Sequence, residues 1–276
     1  MIKLELLDNK NQVISGKIDH EHSPGPFSVV AEDFCVLGIK HYIYQVGDSI
    51  RLSTDTVPAY YMVQLDETLA PSLIYLTQKE WTYKIPLAEK LRKSSVETSF
   101  KSSRHHLMVR KAYDFEVKNE QNLSFNAHDQ KDDSGAFPHV IANVETRDDT
   151  VFFAKNAIDG RYANSSHGSY PFNSWGINQQ ANAALTIDFG RPVKIHRIGV
   201  LLRHDFPHDS YWTSVDIECS SGKKIQLKTE KRSDFQFFEF PSEIVNSLTL
   251  KNLKKADDDS QFPALTQIEV FGTNVI

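Results

Sequence analysis

Phe153-Ala154-Lys155-Asn156-Ala157-Ile158-Asp159-Gly160 opens the run that decides the fold of the second half of this chain. Leu185-Thr186-Ile187-Asp188-Phe189-Gly190, Val193-Lys194-Ile195-His196-Arg197-Ile198-Gly199-Val200 and Gln267-Ile268-Glu269-Val270-Phe271-Gly272 continue it, with Trp175 standing after the first segment. In the later segments apolar and polar residues alternate, the period-two pattern of strands with one buried face. Asp159-Gly160 and the two Phe-Gly pairs read as turns between strands. Residues 154–158 read as one helical turn closed by Gly160, since glycine tolerates the left-handed backbone that reverses a chain.

Outward from that run, the first half also reads as strands. Ile2, Leu4 and Leu6 alternate with charged neighbours, and Val46-Gly47-Asp48 turns into Ser49-Ile50-Arg51-Leu52. Residues 60–65 and 72–76 flank a loop holding Pro71, as a hairpin does. Residues 81–85 form another strand, ended by Pro86, which has no N–H for a ladder. Only residues 87–92 read as a short helix, and 94–103 as a polar loop. Residues 105–117 return to alternation. The polar stretch Asn119-Glu120-Gln121-Asn122 marks the boundary between two domains.

Composition bounds the function classes. The chain has 276 residues, 40% hydrophobic and 24% charged, enough for two separate cores. A formal net charge of −5 argues against nucleic acid or an anionic membrane as partner, because both need a basic surface. No apolar run is long enough for a membrane span. The interrupted N-terminal pattern reads as an opening strand and not as a signal peptide. Cys35 and Cys219 lie far apart, so a disulfide framework is not expected and a cytoplasmic location is.

The order of segments around Trp175 resembles the factor V/VIII C-type (discoidin, galactose-binding-like) family, which includes many carbohydrate-binding modules. The resemblance covers residues 120–276. It completes the expected fold class: all-β, with an N-terminal β-sandwich over 1–119 whose role is unread, and a galactose-binding-like jelly roll over 120–276. It places Trp175 in the core and a structural Ca²⁺ at the turn of Asp159. The family's second ligand is a glutamate before the last strand, where this chain has Gln267, so one charge is missing. The alternative for Asp159 is a side chain that caps its own turn.

Three loops concentrate groups suited to a hydroxylated ligand. They hold His167, then Arg203, Asp205, His208, Asp209 and Trp212, then Lys255, Asp257 and Phe262. Sugars need planar donors and acceptors for vicinal hydroxyls and an apolar surface for the ring face. In family members that bind galactose-like sugars, an Arg after the central strand and a His from the earlier loop contact the sugar; Arg203 and His167 match those places. A late aromatic stacks on the ring, and Phe262 is the counterpart. Asp205, Asp209, Trp212, His208, Lys255 and Asp257 are candidates on chemistry alone, with a salt bridge between Arg203 and Asp205 as the structural alternative. Most of the eleven histidines lie between 105 and 208. His204 and His208 have helix-face spacing, but Pro207 between them breaks a helix.

The functional expectation is a non-catalytic carbohydrate-binding protein with a saccharide or glycosylated partner, and replacement of Arg203 is expected to spare folding. One competing reading is a glycoside hydrolase using Asp205, Asp209, Asp257 and Asp258 as paired carboxylates. Another is an intracellular interaction scaffold, a homodimer among its forms, paved by the aromatic strands around Tyr42, Tyr60 and Trp81.

Overall fold

A computed structural model describes residues 1–132 and 135–275, almost all of them in strands and loops. The chain divides into two compact units. One runs from Met1 to Tyr113 and takes in Gly135 and Ala136; the other begins at Asp114. The boundary expected at 119/120 therefore lies inside the second unit. The helix Asp114–Lys118, which period-two alternation does not foretell, lies against the last strand, and Asn274 Nδ2 donates to Val117 O at 2.8 Å.

The first unit is a β-sandwich. One sheet has the order Ser28–Ala31, Ile2–Leu7, Ser49–Thr54, Glu80–Lys84. The facing sheet runs Ser72–Leu76, Ala59–Gln64, His105–Lys111, Phe34–Ile39. Ala59–Gln64 and Ser72–Leu76 pair antiparallel, the hairpin around Pro71. Ile2, Leu4, Leu6 and Leu52 from one sheet meet Tyr61, Val63, Leu107 and Val109 from the other in one buried cluster. Tyr44, Trp81 and Tyr83 are buried there too, while Tyr42 and Tyr60 are half-buried.

The second unit is a jelly roll built on two long strands that change sheet. Leu185–Asp188 pairs with His139–Ala142 on one side and with 247–250 of the strand Gln236–Lys255 on the other. That first sheet continues through Trp212–Cys219 to Lys224–Lys228. Beyond a break between Asp188 and Val193, the same strand pairs with 236–245 and with Ala264–Asn274 to make the second sheet. Here the two Phe-Gly pairs depart from expectation. Phe189-Gly190 is the crossing point inside the strand Leu185–Leu202, and Phe271-Gly272 lies inside Ala264–Asn274. Glycine is required at 272 by close approach: a Cβ there would stand 2.0 Å from Lys194 O. Asp159-Gly160 is the turn it reads as, with Gly160 at φ +79°, and it closes the 3₁₀ turn Ala154–Ile158. Trp175 and Trp212 both lie in the core, ring centroids 6.2 Å apart.

Candidate functional site

The strand Leu185–Leu202 delivers Arg203 to the rim of the jelly roll, where a short loop follows. Arg203 and Asp205 are 5% and 6% exposed, and a charge pair this deep persists only when each charge is compensated. Arg203 Nε lies 2.8 Å from Asp205 Oδ1, close enough to neutralise it but off the line of a hydrogen bond. The other end of the guanidinium donates to two backbone carbonyls, His208 O at 3.0 Å and Phe262 O. Burial pulls the arginine below its usual range, and the Asp205 carboxylate opposes that. Arg203 thus ties the loop at 205–208 to the loop before the last strand.

Asp205 turns its second oxygen to two imidazoles. His167 Nδ1 bonds to Oδ2, and His208 Nδ1 lies 3.9 Å from the same atom. The rings meet edge to face with centroids 4.8 Å apart. His167 arrives on a loop held by Asn164, whose Nδ2 donates to Leu202 O and to Ser233 O, each at 2.9 Å. The buried carboxylate holds His167 by a hydrogen bond and lies near His208, and both imidazole side chains remain part-exposed. His167, Asp205 and His208 could also hold a metal ion, each offering a ligand atom within 4.8 Å of the others. The Arg203 guanidinium already stands on the same carboxylate, which disfavours a divalent cation there.

A cavity of about 310 Å³ opens beside these groups. His167, Arg203, His208 and Phe262 line it, and Phe262 is 49% exposed, an aromatic face turned to water. Other parts of the lining were not foreseen: they include Thr146, Arg147, Phe152, Ile177, Asn178 and Gln179. Arg147, Asn178 and Gln179 all have positive φ (56°, 47° and 58°). Non-glycine residues held in that region cost strain and cluster where a loop is shaped for a ligand. Asn178 N–H donates to Thr146 Oγ1 at 2.9 Å, joining the two segments. Their only sequence signal is polarity in short loops, which does not separate a wall from a solvated turn.

Other candidates fall elsewhere. Trp212 is fully buried in the core and is not among the residues lining this cavity. By alternation with Val215, Ile217 and Cys219 it would face water. Register shifts between Trp212 and Ser214 and between Ser214 and Asp216 turn it inward. The aromatic that stands free on this loop is Phe206. Asp209 is paired with Lys231 at 2.9 Å, and Lys255 with Asp258 at 2.8 Å. Neither they nor the exposed Asp257 line the cavity.

The turn expected to hold Ca²⁺ is closed by the protein's own donors. Gly160 N–H donates to Gln267 Oε1 at 3.1 Å, which fixes the orientation of that amide. Gln267 Nε2 therefore points inward and donates to Asn156 O at 2.5 Å and to Asp159 Oδ1 at 2.8 Å. Asp159 Oδ1 also accepts from Arg161 N–H at 3.0 Å, and Arg161 Nη1 lies 2.9 Å from Oδ2. Calcium needs about six to eight oxygens at roughly 2.3–2.6 Å. Here N–H groups and a guanidinium occupy the lone pairs, so the residues do not fit the ion. Asp159 caps its own turn, the alternative open in the sequence.

No family model matches this chain, and no curated protein matches it. Solved structures similar to it include chitosan-binding module 1 of a chitosanase/glucanase from Paenibacillus sp. IK-5 (a point mutant). That match is 14% identical, covers 56% of this chain and 100% of the module, and has a TM-score of 0.40. The family 32 carbohydrate-binding module of C. perfringens NanJ, in complex with galactose, is 16% identical over 48% of this chain and 91% of its own (TM-score 0.37). A mutant lectin domain of lectinolysin, complexed with Lewis b, is 12% identical over 56% of this chain and 99% of its own (TM-score 0.42).

Proposed function

We propose that the C-terminal unit is a non-catalytic saccharide-binding domain, its ligand held in the cavity between His167, Arg203, His208 and Phe262. The observation that carries this reading is the buried Arg203–Asp205 pair, which holds two imidazoles at a cavity mouth beside a half-exposed aromatic ring. Imidazole nitrogens suit the hydroxyls of a sugar, and a phenyl face suits the C–H side of a pyranose. The groups are preorganised, so little side-chain entropy is lost on binding.

The hydrolase reading finds less support. Among the described residues, the lining of this cavity includes no carboxylate. Asp205, Asp209 and Asp258 are each engaged by a cation, and against the upward pull of burial the bonds from Lys255 and Ser210 hold the Asp258 carboxyl below its usual range. A general acid needs the opposite, a carboxyl raised toward neutrality.

Calorimetric titration with galactose, lactose and chitosan oligomers tests the proposal. The wild-type chain binds at least one of them, and His167→Ala and Phe262→Ala each weaken it by roughly tenfold, the loss of one hydrogen-bonding or stacking group. Silence across all three sugars, or unchanged affinity in both variants, refutes it.

A further inference from the structure

The cavity beside His167 carries charge of one sign. Its lining includes two arginines, Arg147 and Arg203, and two histidines, and among the described residues no carboxylate. That stands against a formal net charge of −5 for the whole chain. The charge of Arg203 is already balanced by Asp205, 2.8 Å away. The charge of Arg147 is not. No carboxylate among the described residues pairs with it, although acidic side chains are frequent in its own stretch of chain. Glu145 and Asp148 both bond Lys131 instead, Glu145 Oε2 at 2.7 Å.

An exposed arginine is ordinarily a solvated one, but this one is held in place. Its backbone is left-handed, at φ 56° and ψ 15°, and Asp148 follows at φ 50°. Non-glycine residues keep that conformation where the surroundings impose it. The neighbouring Thr146 accepts from Asn178 N–H at 2.9 Å. The guanidinium carbon lies 5.6 Å from the centre of the Phe152 ring, and Phe152 also lines the cavity. Gly176 makes room for these contacts: a Cβ there would stand 2.6 Å from Thr146 Oγ1 and 3.2 Å from Phe152 Cδ1. The segment bearing Arg147 is therefore seated on bare backbone, and the cation is fixed at the cavity at little further entropic cost. A guanidinium presents a planar fork of N–H donors that fits a carboxylate or a sulfate through two parallel bonds. A cleft lined by one sign of charge also concentrates ligands of the other.

We propose that the cavity selects an anionic saccharide, one bearing a carboxylate or a sulfate ester, and that Arg147 is the residue that sets this preference. That the ligand is a saccharide rests on the reading of the cavity given above; the sign of its charge rests on the lining. Specificity of this kind is a difference between two affinities, so it is read as a ratio between sugars that differ in one group.

Calorimetric titration of the full chain with galactose, galacturonate, a galactose sulfate and chitosan oligomers, at low and high salt, tests this. At least one of the two anionic sugars binds roughly tenfold tighter than galactose at low salt, the gain from one charge-assisted pair. Which of them gains separates a carboxylate ligand from a sulfate one. Salt narrows the gap, because the guanidinium is exposed. Arg147→Gln closes the gap, and Arg147→Lys, which keeps the charge and loses the fork, restores part of it. An arginine that merely shaped the loop would not give that order. His167→Ala weakens galactose and the anionic sugars alike and leaves the gap. Anionic sugars no tighter than galactose, a gap that survives Arg147→Gln, or tightest binding by chitosan, a cation, overturns this proposal and leaves the cavity reading standing. Silence toward every one of these sugars sinks both.

Discussion

Removing the Arg203 guanidinium should unfold the C-terminal unit at a markedly lower temperature as well as end ligand binding. Sequence reasoning gave Arg203 a contact role, with a salt bridge to Asp205 as the structural alternative; its burial and its bonds to His208 O and Phe262 O make it structural first. Arg203→Ala leaves the buried Asp205 carboxylate with His167 as its hydrogen-bond partner and His208 at 3.9 Å. Breaking a buried pair in this way costs about 3–5 kcal/mol. For a unit of this size each kcal/mol lowers Tm by roughly 2–4 °C, so the shift is of order 6–20 °C. Arg203→Met with Asp205→Leu, which removes both charges, should recover the share of the loss that comes from the stranded Asp205 carboxylate, while His208 O and Phe262 O stay without their donor. His167→Ala should move Tm little, since its partly exposed pair is worth about 0–1 kcal/mol. Differential scanning calorimetry, read with the fluorescence of the buried Trp175 and Trp212, follows this unit. An Arg203→Ala protein that melts within about 2 °C of wild type, beneath the lower bound set by a buried pair, would refute the reasoning.

The Asp159 turn should be indifferent to calcium: Tm in chelator and in excess CaCl₂ should coincide, and Gln267→Glu should destabilise the unit in chelator by removing two donors and adding a like charge beside Asp159. A calcium-dependent rise in wild-type Tm would contradict this. Trp212→Ala should cost about 3–5 kcal/mol, measured by urea unfolding, as a fully buried aromatic does; a loss under about 1 kcal/mol would place the ring outside the core. Burial holds the His128 imidazole down, from 6.5 to about 3. The unfolded chain accepts a proton there that the folded state refuses, so its contribution is complete above pH 6.5 and is lost as the pH falls toward 3. Urea unfolding across that window should show His128→Gln losing less stability with acid than wild type, the difference approaching at most about 1.4 kcal/mol per pH unit; parallel curves would count against it.

The sequence by itself determined the local pieces. Alternation located segments 185–190, 193–200 and 267–272 within the strands Leu185–Leu202 and Ala264–Asn274, the Asp159-Gly160 turn closed a helical turn over Ala154–Ile158, and Pro86 lay beyond the end of Glu80–Lys84, each an effect acting within a few residues. It also supplied four of the groups at the cavity, His167, Arg203 and Phe262 through the family resemblance and His208 from its chemistry alone. What only the tertiary structure decided was facing and assembly. Register shifts after Trp212 reversed its side of the sheet, and a crossing at Phe189-Gly190 carried one strand into both sheets. The unforeseen wall at Arg147 and Asn178 meets Phe262 from a distant segment of chain. A period-two pattern says that two faces exist; which of them meets water is settled by partner strands far away in the chain.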